Sequence, residues 1–329
     1  GVNIQWGYAG LFNVGTMGFA ALGGVAAVLV AQAPIPAAWA AGGSDLMIAA
    51  ALTLLTIAAV VFAYRRTDKG PIRSLVITAI ILFGYFPIRL YYDPAVNAIE
   101  AVNPAYEGYL GGLGLPIIFS WLVGGVFAAG AAWVVGKIAL GLRSDYLAIA
   151  TLGISEIILA VIKNEDWLTR GVKNVSGLPR PVPYEIDLQE TDWFIGAVQW
   201  LNESALTALA GAERTAFLNS RVIEASSIFV KLCYSGLFFV VLVIIFTLSA
   251  RALNSPWGRM MRAIRDNEIS ANAMGKNITG RHLQVFIIGS AIVGIAGAML
   301  TTLDGQLTPG TYNPLRFTFL IWVMVIVGG

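Results

Sequence analysis

The 329-residue sequence is 57% hydrophobic and only 12% charged, with a mean hydropathy of +0.74. Soluble domains carry about 25% charged residues, so this composition indicates an integral membrane protein. The small net charge of +2, with the basic residues in loops, argues against a nucleic-acid partner. One cysteine, Cys233, excludes an internal disulfide, and one histidine, His282, is too few for a typical metal cluster.

Eight apolar segments follow one another along the chain. Each is predicted to be a helix that spans the membrane, because isolated strands cannot satisfy their backbone in lipid. The segments are 4–31, 45–64, 72–90, 115–137, 145–162, 229–249, 282–302 and 316–329. The expected fold class is therefore an all-α, polytopic transmembrane helical bundle with about eight spans. We expect residues 1–329 to be a single transmembrane domain, truncated at both ends relative to a longer protein.

The first apolar segment is rich in glycine, with six glycines between Gly7 and Gly24. Glycine costs a helix about 1 kcal/mol per residue relative to alanine, so we predict close packing, a break in the helix, or both. Broken helices at membrane depth occur where the backbone is buried in protein or lines a cavity. The polar residues of this segment, Asn13 and Thr16, and the intervening Gly15 are therefore candidates for a substrate pathway.

Two later segments carry small residues at every fourth position, a spacing that lets helix backbones approach closely in lipid. These residues are Gly124, Ala128, Ala132 and Gly136 in the fourth segment, and Ser290, Gly294 and Ala298 in the seventh. We predict tight helix packing at these positions and no chemical role.

The fifth segment places a carboxylate, Glu156, near the middle of an apolar run. A carboxylate at this depth is costly and is a functional-site candidate by default. Thr151 and Ser155 are expected to form a polar stripe with Glu156, since four residues return nearly to the same helix face. All three are candidate pathway residues. The alternative is a glutamate that hydrogen-bonds a neighbouring helix, or stays protonated, and only fixes packing.

The charges of the loops predict the orientation of the spans. Loops 65–73, 137–143 (with Lys137 and Arg143) and 251–281 are basic, whereas 31–44, 91–114 and 163–228 are neutral or acidic. The positive-inside rule places the basic loops in the cytoplasm. The long stretch 163–228 then lies on the outer face as an elaboration, either a docking surface for another protein or a loop of no special role.

Residues 255–277 form a basic, polar segment on this cytoplasmic side. Ser255 suits an N-cap, Pro256 the first helical position and Gly275 a C-terminal stop, so we predict one helix from Pro256 to Met274. Its apolar residues fall near one face and its arginines share another. The apolar set is Trp257, Met261, Ile264, Ala271 and Met274, and the basic set is Arg259, Arg262 and Arg265.

Three motifs resemble those of the branched-chain amino-acid (LivM-type) permeases of ABC importers, in the family's order. Residues 7–19 resemble G-Y-x-G-x-x-S-x-G-x-x-x-F, with Asn13 in place of the usual Ser and Thr16 where a His is common. Residues 144–157 resemble G-D-Y-L-A-I-x-T-L-G-x-x-E-I almost throughout. The segment 255–275 resembles the coupling motif S-x-x-G-R-x-x-x-A-I-R-x-x-E-x-A-A-x-x-x-G, with Ser270 replacing one Ala.

The resemblance implies a type II ABC-importer-like permease in the bacterial inner membrane, importing Leu, Ile and Val. The implied partners are two cytoplasmic ABC ATPase subunits, a second, non-identical permease subunit and a periplasmic solute-binding protein, with membrane lipid around the spans. The apolar face of the 255–277 helix would fit a groove on the ATPase. The residues expected to couple to the ATPase are Gly258, Arg259, Arg262, Ala263, Arg265, Glu268, Ala271 and Gly275.

Missing motifs narrow the function further. No G-x-x-x-x-G-K-[ST] phosphate loop occurs, so we expect no cofactor in this chain and ATP bound by the partner subunits. The lack of an H-E-x-x-H or G-x-S-x-G motif disfavours a membrane enzyme. Two alternatives stay open. One is a permease for another small neutral solute, such as urea, an amide or another amino acid. The other is an ion-driven secondary transporter, which would use Glu156 but leave the cytoplasmic helix unexplained.

Overall fold

The computed structural model describes residues 1–104, 107–142, 144–207 and 209–328. Arg143 and Gly329, which belong to a predicted basic loop and to the last predicted segment, lie outside the described residues. Among these described residues, six helices are long and apolar enough to cross a membrane, and two shorter apolar helices, Thr16–Ala31 and Phe317–Gly328, fall within the first and last predicted segments. The expectation of an all-α, polytopic helical membrane protein is confirmed.

The helices are numbered in chain order. They are α1 (Thr16–Ala31), α2 (Pro36–Ala38), α3 (Ser44–Arg66), α4 (Pro71–Glu100), α5 (Ile117–Ala139), α6 (Ser144–Asn164), α7 (Asp166–Thr169), α8 (Glu185–Glu190), α9 (Asp192–Leu201), α10 (Glu203–Leu206), α11 (Gly211–Asn254), α12 (Pro256–Asp266), α13 (Glu268–Ala273), α14 (Ile278–Asp304) and α15 (Pro314–Gly328). Short π-helices cover Ile4–Tyr8 and Trp39–Gly43, and 3-10 helices cover Gly171–Lys173 and Pro309–Tyr312. Strands β1 (Val175–Ser176) and β2 (Gln306–Leu307) pair antiparallel.

The core of the bundle is the three-helix contact among α1, α5 and α14. A Cβ atom added at Gly294 would lie 2.4 Å from the carbonyl oxygen of Gly124, and one at Gly23 would lie 1.9 Å from the carbonyl oxygen of Gly294. Only glycine therefore permits this approach, and the prediction of tight packing at the small residues of the fourth and seventh segments is confirmed.

Helices α3 and α4 form a hairpin at the edge of the bundle. The apolar centre of α4 has no buried residue, so it presents its side chains outward, as a helix does in lipid. One end of α4 is attached to the rest of the protein by polar side chains. Tyr92 Oη donates a hydrogen bond to Glu165 Oε2 at 2.5 Å, and Trp167 Nε1 donates to the same oxygen at 2.7 Å.

Helix α11 has 44 residues and runs through residue 228 without a break. At 1.5 Å per residue it is about 66 Å long, more than twice the bilayer's hydrocarbon core of about 30 Å. The predicted sixth span, 229–249, is thus the second half of a longer helix. Helices α8 and α9 pack on the first half through Leu188, Phe194 and Val198. Hydropathy could not reveal this continuity because that half is largely polar.

Candidate functional site

The first predicted span is broken, as its glycine content indicated. It begins with the π-helix Ile4–Tyr8, continues through the non-helical residues 10–15, and becomes helical again in α1. Gly10 has a φ of +69°, in the left-handed region that favours glycine. A Cβ atom at Gly15 would lie 2.3 Å from the Thr151 carbonyl oxygen, so the non-helical segment also packs directly against α6.

A chain of buried hydrogen bonds joins this break to α14. Asn13 Nδ2 donates to Gln5 Oε1 at 3.0 Å, and Gln5 Nε2 donates to the Phe286 carbonyl oxygen at 2.9 Å and to Ser290 Oγ at 3.2 Å. The Gly15 amide donates to Asn13 Oδ1 at 3.0 Å. The Gln5 and Asn13 side chains are fully buried. Because buried polar groups are costly unless they are paired, this network holds the non-helical segment in one position.

Side chains of α6 and α15 contact the break from other directions. The Val14 amide donates to Thr151 Oγ1 at 3.1 Å, and Thr16 Oγ1 and Thr318 Oγ1 lie 3.1 Å apart in a shared hydrogen bond. Trp322 Nε1 donates to the Asn13 carbonyl oxygen at 3.2 Å. Contacts with three helices, α6, α14 and α15, therefore hold the break in place.

Five of the six predicted pathway residues come together around the break. These are Asn13, Gly15, Thr16, Thr151 and Ser155, all buried. The hydroxyl oxygen of Ser155 has no hydrogen-bond partner, and the Ser155 Cα would lie only 2.8 Å from a Cβ atom added at Gly18. This group is the polar interior of the subunit, and its side chains are mostly occupied by contacts within the chain.

Glu156 does not join that group, and the predicted polar stripe with Thr151 and Ser155 is wrong. Glu156 is exposed, whereas Thr151 and Ser155 are buried against α1. Successive helix residues are about 100° apart, so Glu156 lies about 140° around the helix from Thr151. The carboxylate therefore points away from the break.

Sequence reasoning missed Gln5, the residue that links Asn13 to α14. Its side chain makes three hydrogen bonds although it has no exposed surface. The available signal was an amide side chain near the start of an apolar stretch, which needs internal partners in lipid. Thr318 and Trp322 were missed because they contact the break from a helix more than 300 residues away in the sequence.

The basic segment 255–277 forms two helices, α12 and α13, where we predicted one from Pro256 to Met274. The single helix is wrong because Asn267 has an extended backbone, with φ −156° and ψ 95°. Its side-chain oxygen accepts a hydrogen bond from the Ser270 amide at 2.9 Å, as an N-cap does. Asn267 therefore ends α12 and starts α13.

The predictions for the first and last residues of the 255–277 helix are confirmed in part. Pro256 is the first residue of α12, but the Ser255 hydroxyl donates to the Ala252 carbonyl oxygen and makes no capping hydrogen bond. Gly275 follows α13 with a φ of +76°, and its amide donates to the Asn272 carbonyl oxygen at 2.9 Å. This left-handed glycine closes the second helix.

The apolar face predicted for the single helix is divided between the two helices. Met261 and Ile264 of α12 are fully buried in the core that contains the start of the chain and α14. Met274, after α13, is 79% exposed, and so is Ile269 at 85%. The apolar face of α12 is thus used inside this chain and is not free to enter a groove on a partner.

The predicted coupling residues take different positions on these helices. Gly258 is buried, where a Cβ atom would lie 2.1 Å from the Leu253 carbonyl oxygen, and Ala271 is half-buried. The remaining six are exposed: Arg259, Arg262, Ala263, Arg265, Glu268 and Gly275.

One of these arginines connects α12 to the broken span. Arg265 Nη1 donates a hydrogen bond to the Gly7 carbonyl oxygen, near the end of the π-helix, and Nη2 lies 3.1 Å from Asp266 Oδ1. Arg262 lies over the ring of Tyr8, with 6.0 Å between the guanidinium carbon and the ring centroid. The segment 255–277, which lies between α11 and α14, is therefore in direct contact with the π-helix that precedes the break.

A family model described as "Branched-chain amino acid transport system / permease component" matches residues 1–329. The chain belongs to this permease family. The permease is 27% identical to the high-affinity branched-chain amino acid transport system permease protein LivM of Escherichia coli over 206 residues, which are 63% of this chain and 44% of that protein. It is also 27% identical to the protein of the same name from Salmonella typhimurium over 204 residues, 62% of this chain and 44% of that protein.

A more distant source gives a similar match. The permease is 26% identical to the probable branched-chain amino acid transport permease protein LivM of Methanocaldococcus jannaschii over 239 residues, 73% of this chain and 56% of that protein. The chain thus spans about half the length of the curated relatives it matches. No solved structure matches it.

Proposed function

We propose that this chain is the permease subunit of an ATP-driven importer for branched-chain amino acids. In this proposal the spans line part of the passage, and residues 255–277 receive the motion of cytoplasmic ATPase subunits. The observation that carries the proposal is the contact between that exposed segment and the broken first span, through Arg265 and the Gly7 carbonyl oxygen. The names of the relatives support the substrate class.

The two helices of the segment have different proposed roles in coupling. Helix α12 is anchored to the bundle by Met261 and Ile264. The adjoining exposed surface contains Ala263 together with the apolar side chains of Ile269 and Met274. Exposed apolar residues on a polar segment are typical of an interaction surface. The ATPase would contact this surface, while α12 transmits the displacement inward.

In this proposal, hydrogen bonds transmit the displacement of α12 to the first span. A shift of α12 pulls on the Gly7 carbonyl oxygen through Arg265 and so moves the π-helix that carries Gln5. Gln5 is bonded to Asn13 and to α14, so the non-helical residues 10–15 must follow or lose those hydrogen bonds. The proposed result is a change in the passage at the depth of the break.

The proposed orientation follows from charge. We infer that the end of α3 with Arg65 and Arg66, the end of α5 with Lys137 and the segment 255–277 face the cytoplasm, as the positive-inside rule favours. In the bacterial inner membrane, the opposite side would receive a periplasmic solute-binding protein. A second permease subunit would complete the passage, and ATP would be bound by the ATPase subunits alone.

The first test is gentle purification of the full-length protein from its native membranes, followed by identification of the proteins that come with it. Recovery of an ATPase and a second permease supports the proposal. Recovery of the protein alone, with transport driven by an ion gradient, overturns it in favour of a secondary transporter. In reconstituted vesicles, leucine import should be inhibited by isoleucine and valine but not by urea, and the reverse pattern would contradict the substrate class.

The second test is Ala263→Asp, which puts a charge on the proposed ATPase surface. We expect the ATPase to be lost from the purified complex and ATP-driven import to fall about tenfold or more, because an unpaired charge at an interface is costly. Ala252→Asp is the matched control, since Ala252 is also exposed but lies at the end of the preceding helix. Normal import by the Ala263 variant would refute the coupling assignment.

A further inference from the structure

The exposed face of α6 carries a carboxylate, Glu156, near the middle of its span. Five exposed residues recur along this face at alternating spacings of three and four: Tyr146, Ile149, Gly153, Glu156 and Ala160. We name these five residues the outer stripe of α6. By contrast, the exposed face of α4 at similar depth is apolar, with Ile81, Leu82, Phe83 and Phe86.

Glu156 lies at the middle of its span. It is ten residues after Tyr146 and eight before Asn164, the limits of the apolar helix, so it lies about 15 Å from one end and about 12 Å from the other. Among the described residues, none forms an ion pair or a hydrogen bond with its side chain. A carboxylate at this depth and without a partner is costly in lipid, so the stripe must face water or a complementary charge.

The stripe also leaves room beside the carboxylate. A Cβ atom added at Gly153 would meet no atom within 4 Å, and Gly153 lies one helical turn before Glu156. The opposite face of α6 is fully engaged, because Thr151 and Ser155 pack against the first span. The helix therefore separates a dry, packed side from an open side that holds a single negative charge.

We propose that the outer stripe of α6 lines the water-filled passage and that the Glu156 carboxylate binds the ammonium group of the amino acid in transit. This inference rests on the proposed function, which supplies a zwitterionic substrate and a second permease subunit across the passage. Only the ammonium end of such a solute is attracted by a carboxylate. Its apolar side chain finds Ile149 and the space at Gly153 on the same stripe.

The test measures the accessibility of engineered cysteines in the full complex, after Cys233 has been replaced by Ala. Gly153→Cys probes the stripe, and Phe83→Cys, which is 80% exposed on α4, is the matched lipid-facing control. The probes are a cationic and an anionic methanethiosulfonate, neither of which crosses lipid. We expect the cationic probe to modify Gly153→Cys at least about tenfold faster than Phe83→Cys, and leucine to slow that reaction.

The charge of Glu156 is tested on the same background. Adding Glu156→Gln to Gly153→Cys should lower the ratio of cationic to anionic reaction rates by about tenfold and abolish the protection by leucine, because an ionic attraction has been removed. Glu156→Asp should retain both effects in part. A purely structural role for Glu156 would leave the ratio and the protection unchanged.

The outcomes separate this inference from the proposed function. If the ATPase and the second permease co-purify but Gly153→Cys reacts no faster than Phe83→Cys, the stripe faces lipid and this inference alone is overturned. If accessibility is high but Glu156→Gln leaves leucine protection intact, the ammonium site is refuted. If no ATPase co-purifies, the proposed function fails, while charge-selective labelling still places the stripe on an aqueous path.

Discussion

The substitution Gly23→Ala tests whether the three-helix contact limits the stability of the bundle. Gly23 lies where α1 crosses α14, and an added Cβ atom would lie 1.9 Å from the Gly294 carbonyl oxygen and 2.9 Å from the Ala298 amide nitrogen. Both neighbours are backbone atoms, so no side-chain rotation can relieve the clash. The helices themselves must move apart.

The expected destabilisation follows from this geometry. Ordinary contact between such atoms requires about 3.5 Å, so the helices must separate by about 1.5 Å at the crossing. Overpacking of a close contact costs about 1–3 kcal/mol, and a rigid backbone clash belongs at the upper end. Alanine recovers about 1 kcal/mol through its higher helix propensity. The net loss should be about 2 kcal/mol, which lowers the unfolding temperature by about 3 °C in a chain of this size.

The assay is thermal unfolding of the detergent-solubilised protein, followed by the fraction that stays monodisperse on size-exclusion chromatography. The control is Gly130→Ala, because Gly130 lies within α5 and a Cβ atom there would meet nothing within 4 Å. Gly130→Ala should leave the unfolding temperature unchanged or raise it. If Gly23→Ala matched this control, the three helices would not be held at the distance the structure shows, and the packing argument would be refuted.

Three further predictions concern the break and its surroundings. Asn13→Ala leaves Gln5 Oε1 and the Gly15 amide without their partner. The free energy of unfolding, measured by thermal denaturation, should therefore fall by about 1–3 kcal/mol. The control Asn164→Ala, at an exposed side chain, should change it little. Arg265→Ala should lower ATP-driven import about tenfold while the ATPase still co-purifies. Arg281→Ala, which removes a hydrogen bond to Gln284 on the same helix, is the control and should leave import unchanged; equal effects would contradict the proposed route. Burial raises the pKa of Tyr312 from 10.0 to about 12, so the folded state keeps a proton that the unfolded state loses between these values. Stability should then fall as the pH rises above 10, by up to about 3 kcal/mol, and Tyr312→Phe should flatten this dependence in denaturation experiments at pH 9 to 12.

The sequence predicted the positions of the spans well because hydropathy is a local property. It also indicated the break in the first span, since Gly10 has a left-handed backbone that favours glycine and Gly15 permits a close approach to Thr151. The residues that contact the break could not be predicted from the sequence. Thr318 and Trp322 meet Asn13 and Thr16 only after the chain has folded, and no local pattern links residues so far apart.

Two errors arose from local signals that were given too little weight. Asn267 has the side chain of an N-cap, and this signal was overlooked within the expected helix. The grouping of Glu156 with Thr151 relied on the four-residue repeat, although five residues separate the pair and place them on different faces. In both cases a single residue decided the outcome. One residue can end a short helix or move a side chain to another helix face, whereas the existence of a span depends on many residues.

Under the proposed coupling, the broken span is the part of the rigid bundle that moves. Within α1 each position is fixed by the backbone hydrogen bonds of its own helix, but the amides of Val14 and Gly15 are satisfied by the side chains of Thr151 and Asn13. The place of this segment therefore depends on α6, α14 and α12 together. A displacement of α12 reaches the start of the span through the Arg265 hydrogen bond and through the packing of Met261 and Ile264. The hydrogen bond can shift or re-form without loss of a helical turn. A continuous helix packed at its glycines would have to move as a whole, against the contacts among α1, α5 and α14. The break thus confines the motion to a few residues and leaves the three-helix core intact.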